Sequence, residues 1–544
     1  MLDQIQNRLP LSVAQRGMWF AQRFSPSNSI FNIAEMLEIH GPVNLAVFEA
    51  AVQQTAMEAE AARLRFVEQA DELYQVVHPT AEGILPFMDL SAEADPRGAA
   101  ELWMRAEFTA PHHPMHDRLW TCALIKAAPD RFFWYHRSHH ILMDGFSGGL
   151  FARRLADVYS VLLERHIPAD TPFGSLSELL TEDRTYRESE RFARDRSYWI
   201  ARFADRPDPV TIAARQLPNK GGLLRQTCQL PSEAVDAMRA SARQGGSSLP
   251  QFIIAATAVY FHRMTGVEDL AIGLPVTARM SARLRQIPGM VANVVPLRLA
   301  LHPSMRVHEL MQLVGRTVRE TLRHQRYRYE DLRRDLHLLA EQKHLLTTVI
   351  NIEPFNYDLR FGGHPVTVHN LSNGSVEDLA IFVYDRGDGK GLRIDFDANP
   401  ARYDRDDLIT HQQRFLRVLQ ALANDRDQTI AQIEMLDAQE RHRLLEVFND
   451  TAADAPVPVL VEMFEQQVER SPYAIAVATE DGNLSYRLLN IRANRLAHAL
   501  IGRGIGPEDL VAIALPRSAD MLAALLAIQK AGAAYLPLDP NYPP

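Results

Sequence analysis

Cysteine is almost absent from this 544-residue chain: only Cys122 and Cys228 occur, far apart. So few thiols exclude a disulfide framework and a cysteine-based zinc site, and they suit a reducing cytoplasm. No apolar run is long enough to span a bilayer, which excludes a helical membrane protein. The N-terminus, Met1-Leu2-Asp3-Gln4-Ile5-Gln6-Asn7-Arg8, lacks the charged-then-apolar layout of a signal peptide. Excess positive charge is missing as well: the formal net charge is -9, which argues against nucleic acid as a partner. The expectation is a cytoplasmic protein without membrane contact. Apolar side chains, by contrast, are plentiful at 47% of residues. The length corresponds to roughly three or four domains' worth of chain.

One string stands apart. His139-His140-Ile141-Leu142-Met143-Asp144-Gly145 follows Arg131-Phe132-Phe133-Trp134-Tyr135, a run with strand composition. A strand alternates its faces. If the strand runs through His140, then Phe132, Trp134, His136, Ser138 and His140 share one face. Phe133, Tyr135, Arg137 and His139 share the other. The two adjacent histidines therefore do different jobs: one looks into a cavity while the other braces the strand. Gly145 permits a sharp turn or the close approach of a ligand.

Around this string the pattern predicts a mixed architecture. A helix is expected over residues 43–56, from the spacing of Leu45, Phe48, Val52 and Ala56. Residues 121–126 and 131–140 bracket Ala127-Ala128-Pro129-Asp130 as a hairpin. A helix is expected over 149–165, then a Ser/Thr/Glu-rich crossover over 171–190. Ser248 and Pro250 suit the start of a further helix. Residues 270–276, 347–352 and 392–396 read as strands, and Asp404 opens a helix striped by Leu408, Phe415, Leu419 and Leu422. Residues 449–458 read as an interdomain linker.

His139, His140, Asp144 and Gly145 match the HHxxxDG motif of nonribosomal peptide synthetase condensation domains, and Ser147 fits as well. The shorter HxxxDG core is shared with chloramphenicol-acetyltransferase-like acyltransferases, so other segments are needed to narrow it. Leu11-Ser12-Val13-Ala14-Gln15-Arg16-Gly17-Met18-Trp19-Phe20 resembles the family's opening motif. Gly289-Met290-Val291-Ala292-Asn293 resembles GxFVN, and His324-Gln325-Arg326-Tyr327-Arg328-Tyr329-Glu330 resembles HQDYPFE. Arg63-Leu64-Arg65-Phe66 keeps only the tail of RHExLRTxF. Four motifs in family order make the resemblance specific. Beyond the linker, Leu484-Ser485-Tyr486-Arg487-Leu488-Leu489 is similar to the LTYxEL motif of adenylation domains. Lys530-Ala531-Gly532-Ala533-Ala534-Tyr535-Leu536-Pro537-Leu538-Asp539-Pro540 is similar to KAGxAYLPLDP. The Gly/Ser/Thr/Lys-rich phosphate loop of that family does not occur. The C-terminal part is thus expected to be a truncated, incompletely packed fragment that adenylates nothing.

The resemblance implies an α/β (α+β) fold: two chloramphenicol-acetyltransferase-like lobes forming a V-shaped pseudo-dimer with a central tunnel. The expected division is 1–171 for the first lobe, 172–440 for the second, 441–458 for the linker and 459–544 for the adenylation fragment. It implies an amide-forming acyltransferase that joins a donor acyl thioester to the amine of an aminoacyl group on a carrier protein's phosphopantetheine arm. No cofactor bound by the domain itself and no metal is implied. The expected catalytic set is His140, His139, Asp144 and Gly145. The resemblance, not the spacing, puts His140 on the tunnel side, leaving His139 as a strand brace. It makes Asp144 one half of an ion pair, with Arg279 as partner; Arg279 matches the Arg of a GxPVxGR-like segment in which Ala278 replaces the usual Gly. Ser147, Asn293 and Trp19 are placed along the tunnel, with Asn293 alternatively satisfying backbone groups.

His112-His113-Pro114-Met115-His116 reads as a surface loop rather than a metal site. His136 reads as packing. The run Arg323, Arg326, Arg328, Arg333, Arg334 reads as a solvated face, or as a landing site for an acidic carrier helix. The partners implied are a downstream peptidyl carrier protein and adenylation domain of one assembly line, with the chain itself a monomer. The donor is either an acyl-CoA, which makes this a starter domain that N-acylates the first amino acid, or an acyl group on an upstream carrier acting in trans. Because the opening motif follows Met1 so closely, the starter reading is preferred. A heterocyclisation domain would carry DxxxxD instead of the paired histidines. An epimerisation domain would not normally precede an adenylation domain, and a free-standing alcohol acyltransferase would not carry one. A catalytically silent docking platform is the reading from another class, and the intact His140 and Asp144 argue against it.

Overall fold

The computed structural model describes residues 8–24, 29–69, 72–81, 85–215, 222–339, 343–353, 358–374, 376–386, 389–452, 459–479 and 482–539. It divides into two compact units, Met1–Asp437 and Ala438–Pro544.

The first unit is built on two six-stranded mixed sheets. The first runs, in spatial order, Arg360–Phe361, His364–Asn373, Asn32–His40, Arg131–His139, Trp120–Ala128 and Phe87–Asp89. Only its last pairing is parallel. The expected hairpin is its centre: Trp120–Ala128 pairs antiparallel with Arg131–His139 around Pro129-Asp130. The alternation read from the sequence holds. Phe132 and Trp134 join a core with Phe48 and Phe151, whereas Phe133 and Tyr135 pack with Met36, Ala100 and Met104. Both faces of this strand are covered, which explains its unbroken apolar run.

The second sheet runs Asn293–Ala300, Asp269–Val276, Thr348–Glu353, Leu379–Asp385, Leu392–Ala398 and Leu224–Leu230. Thr348–Glu353 is parallel to both of its neighbours. The main helix behind it, Leu249–Thr265, starts as its chemistry dictates: the Ser248 hydroxyl caps Gln251 N–H while the Gln251 side chain returns the bond. It ends at Gly266, whose φ of 72° is left-handed. Every residue from Phe252 to His262 is buried, so this helix is a core element, not an amphipathic surface one.

Three sequence expectations change. The crossover over 171–190 contains a helix, Leu176–Arg187, opened by Ser175 and Glu178 as a capping box. The Ser and Glu content that reads as loop is start-signal chemistry. The helix expected over 149–165 is Gly145–Leu163, four residues earlier, because Asp144 caps it. Part of the segment assigned to the second lobe returns to the first sheet: His364–Asn373 pairs antiparallel with Asn32–His40, with a bulge between Asn370 and Ser372. That strand belts the two halves of the unit together.

The second unit carries the helices Leu460–Arg470, Tyr486–Ile501 and Ala519–Lys530 and two two-stranded sheets. Its buried clusters are small and alanine-rich, and Tyr473, Ile475, Leu510 and Leu536 stay exposed. The expected linker is helical at its near side, where Ala438–Leu445 forms a helix. Residues 453–458 of that linker, and Pro540 of the closing motif, lie outside the described residues. No helix among the described residues is long and apolar enough to cross a membrane.

Candidate active site

The histidine strand stops one residue short of His140. His139 is its last residue, and the chain turns there: Leu142 N–H donates to the His139 carbonyl at 2.9 Å, and His140 N–H donates to the Phe31 carbonyl at 2.7 Å. The three apolar residues of the motif, Ile141, Leu142 and Met143, are buried and pin this turn into the core. The chain then enters the helix Gly145–Leu163 through Asp144.

Asp144 is the most heavily bonded side chain of the site. Its Oδ1 accepts from the Ser147 N–H at 3.0 Å and the Ser147 hydroxyl at 2.8 Å. Its Oδ2 accepts from Arg279 Nη1 at 2.7 Å, Val291 N–H at 3.1 Å and Ala292 N–H at 2.9 Å. Burial by itself would raise this carboxyl, but Arg279 and the Ser147 bonds overcome it and hold the group at about 2. A carboxylate with five donors has no proton to give and little acceptor capacity to spare. It is a post on which both halves of the unit are tied, not a general acid.

Arg279 is 2% exposed. Its Nη2 donates to the Ser147 hydroxyl at 2.8 Å and to the Gly289 carbonyl at 3.0 Å, and its guanidinium lies 4.9 Å above the Phe146 ring. Ala278, just before it, has a φ of 53°, a left-handed backbone that suits the glycine it replaces.

The paired histidines separate as the alternation requires. His139 is buried; its Nδ1 accepts from Ile141 N–H at 3.2 Å and its ring lies against Phe31. Burial first, then His140 and Arg137, push it down to about 3, so it is neutral throughout the working range. His140 keeps part of its ring open to a cavity of about 470 Å³. Burial lowers its pKa, and the nearby Asp144 carboxylate only partly offsets this. Near neutral pH its ring can therefore accept a proton or a hydrogen bond. Gly145, at the first position of its helix, lines the same cavity, and first-turn N–H groups have no partner within a helix.

The cavity draws on both sheets. Ile33 and Glu35 come from one strand of the first sheet and His136 from the next. Val349, Asn351 and Glu353 come from every second position of Thr348–Glu353, and Ala380 and Phe382 from its neighbour. Asn293 serves both of its expected purposes. It lines the cavity, while its Nδ2 donates to the Gln325 and Tyr327 carbonyls at 2.9 and 2.8 Å.

Other expectations are corrected. Ser147 does not line the cavity; it is completely buried and receives Gly289 N–H at 3.0 Å as well as Arg279. Trp19 packs in the core against Phe66, and it is Ala14 and Met18 of the same helix, Val13–Phe24, that face the cavity. His112 is not a surface loop residue: its Nε2 stands 3.0 Å from Arg137, which pairs in turn with Glu107 at 3.1 Å. The basic run is not a uniform solvated face. Arg326 pairs with Glu182 and lies over Tyr186, Arg328 is buried on the Ala292 carbonyl, and Arg334 pairs with Asp331.

Sequence reasoning misses the wall that the second sheet gives the cavity. Glu353 is raised to about 7, by burial first and then by Glu35. The sign of its effect follows. A folded pKa above the ordinary 4.5 means stability that is complete below pH 4.5 and is lost as pH rises through about 7. Glu353→Gln is therefore expected to be more stable than the native chain by about 3 kcal/mol at pH 9 and indistinguishable at pH 4. Urea unfolding at the two pH values checks this.

Two lobes on a shared cavity, with a histidine in its wall and a helix N-terminus beside it, define a chloramphenicol-acetyltransferase-like architecture. Residues 5–445 match the condensation domain family, and residues 464–544 match the AMP-binding enzyme family. The chain belongs to the condensation domain family and continues into an AMP-binding segment.

The dimodular nonribosomal peptide synthase of Bacillus subtilis (strain 168) is 45% identical over 543 residues, 100% of this chain and 23% of that protein. The isonitrile lipopeptide synthase of Streptomyces coeruleorubidus is 38% identical over 538 residues, 99% of this chain and 36% of that protein. The chain thus spans well under half the length of these relatives. Among solved structures, a starter condensation domain of rhizomide synthetase RzmA in complex with C8-CoA is 42% identical. It covers 79% of this chain and 98% of its own, with a TM-score of 0.75. The first condensation domain of the calcium-dependent antibiotic synthetase, in complex with a substrate analogue, is 31% identical, covers 80% and 100%, and has a TM-score of 0.74.

Proposed function

We propose that this chain forms an amide between a donor acyl thioester and the α-amine of an aminoacyl group on a carrier protein's phosphopantetheine arm. The observation that carries this reading is the neutral, cavity-facing His140 standing beside a carboxylate that is fully occupied in holding the two lobes. The amine nitrogen bonds to the thioester carbonyl carbon, the C–S bond breaks, and the proton lost by nitrogen ends on the departing thiolate. An α-amine has a pKa of roughly 7.7–8.0, so much of it is neutral near pH 7. General base catalysis typically supplies about 10²–10⁴-fold, whereas orientation of two bound reactants reaches effective molarities of about 10⁵–10⁸ M. His140 therefore acts first by orienting the amine and second by receiving its proton. The Gly145 N–H, at the positive end of its helix, is the donor we assign to the developing oxyanion.

For the donor we favour acyl-CoA, a starter role, on the strength of the likeness to the rhizomide starter domain, whose complex holds C8-CoA. The second reading is an acyl group held on an upstream carrier protein and supplied in trans. Incubating the protein with an aminoacyl carrier and either octanoyl-CoA or octanoyl-carrier separates them by the mass of the carrier-bound product. The starter reading predicts product with the CoA donor; product from the carrier donor alone contradicts it.

Gly148 offers a second check. It lines the cavity, and a Cβ there would meet only His136 Cε1, at 3.9 Å. Gly148→Leu should fold, gaining up to about 1 kcal/mol from helix propensity, and should lose at least about tenfold in kcat/KM for bulky donors by filling the space. Thermal unfolding and a series of donors of increasing size check both halves.

A further inference from the structure

One part of the cavity wall is more polar than an alkyl pocket needs. Glu35 and His136 sit directly opposite each other in the pairing of Asn32–His40 with Arg131–His139, and Glu35 Oε2 lies 3.5 Å from His136 Nε2. Glu353 reaches the same cavity from the second sheet, its Oε1 accepting from Asn351 Nδ2 at 2.9 Å. Asn370, on the strand that returns to the first sheet, lines it as well. Elsewhere in this unit buried carboxylates are matched by arginine: Asp144 by Arg279, and Asp397 by Arg225. Here two carboxylates share a hollow. His136 Nε2 and Asn370 Oδ1 are buried with no hydrogen-bond partner among the described residues, and both residues are more than nine-tenths buried. Buried polar atoms normally have partners, so these are places for a ligand's groups. Arg386 and Asp395 act on Glu353 in opposite senses, Arg386 favouring its ionised form and Asp395 opposing it.

We propose that this part of the cavity recognises a hydroxyl-bearing, non-reacting part of one of the two reactants, held between Glu35, Glu353 and His136. A hydroxyl both donates and accepts, so it serves the carboxylates and the imidazole together. An ammonium offers donors alone, and an alkyl chain offers no partner to His136 Nε2 or Asn370 Oδ1. His136 lies four residues before His140, at most roughly 13 Å along the strand. The site therefore reads a part of the substrate other than the carbonyl or amine held at His140. Its residues come from both lobes, so it is completed only when the lobes are in place.

This inference rests on the amide-forming role proposed above. The test supplies the intact protein with matched thioester pairs that differ only in a hydroxyl: octanoyl against 8-hydroxyoctanoyl-CoA, and benzoyl against 4-hydroxybenzoyl-CoA, each with one aminoacyl acceptor. A further arm holds the donor constant and compares tyrosyl with phenylalanyl N-acetylcysteamine thioesters as acceptors. Each pair is repeated with Glu353→Leu and with the milder Glu353→Gln. Within the preferred pair the hydroxylated member is expected to have a kcat/KM roughly 10–100-fold higher, and the ratio should fall toward one in Glu353→Leu. Preference within a donor pair assigns the site to the donor; preference within the acceptor pair assigns it to the acceptor. Amide formed equally well from every pair overturns the hydroxyl site and leaves the amide-forming role standing. Amide from none of them, with the same acyl groups loaded on a carrier protein failing as well, brings down both. A preference that survives unchanged in both Glu353 variants also overturns the assignment.

Discussion

Amide formation by His140→Ala is expected to fall by roughly 10²–10⁴-fold, the range of a lost proton acceptor, with a further loss from misorientation of the amine. Its unfolding transition should move little. The ring is only partly buried, and the turn that carries it is held by backbone bonds to Phe31 and His139, not by the imidazole. His139→Ala should behave in the opposite way. That ring is enclosed, and removing it costs packing against Phe31 and the acceptor for Ile141 N–H, so stability falls before chemistry does. The contrast is informative because the two residues are neighbours. A pH profile adds a second reading. Burial lowers the pKa of His140, so the acid limb of kcat/KM should not lie at the ordinary histidine value near 6.5. It should instead follow the acceptor amine, and shift when an acceptor with a less basic amine is used.

The second large effect is on folding. Asp144→Ala is expected to cost about 3–5 kcal/mol, because it leaves the Arg279 guanidinium buried without its counter-charge. Arg279→Ala should cost a similar amount by stranding the carboxylate. The two losses should not add: Asp144→Asn combined with Arg279→Met is expected to be less destabilised than the sum of its parts, since each replacement removes the charge the other would strand. The carboxylate's contribution also has a pH signature. Its folded pKa of about 2 lies below the ordinary 3.8, so the stability it supplies is complete above pH 3.8 and is lost as pH falls toward 2. The native protein should shed about 2 kcal/mol over that window on this group's account, and Asp144→Asn should not. Urea unfolding between pH 2 and 7 checks both statements.

What the sequence disclosed was periodic or local. The alternation along residues 131–140 put His136 and His140 on one face, and both line the cavity. Ser248 and Asp404 announced helix starts because a cap is a matter of three or four neighbouring residues. Motif membership was a weaker guide to orientation. Trp19 and Met18 belong to one segment, yet a single step around a helix turns a side chain by about 100°, and Met18 took the cavity while Trp19 took the core. Ser147 looked like a tunnel residue because it sits two places after the motif, but a helix residue so close to its cap is well placed to bond the capping carboxylate, and it does. Long-range pairing left no mark. Nothing local tells that Arg326 will meet Glu182, that His364–Asn373 will lie beside Asn32–His40, or that Glu35 and Glu353 will share a hollow. A glutamate in an alternating strand reads as solvent-facing; only the second sheet standing opposite turns its face into an interior.

The most direct test is a crystal structure of the protein holding a stable mimic in which the donor acyl carbonyl and the acceptor amine are joined through a non-hydrolysable linker. The account predicts the amine within about 3 Å of a His140 ring nitrogen and the carbonyl oxygen within about 3 Å of the Gly145 N–H, with the Asp144–Arg279 pair untouched. A mimic bound elsewhere, or seated in the cavity with its reacting atoms turned away from His140, would contradict the assignment.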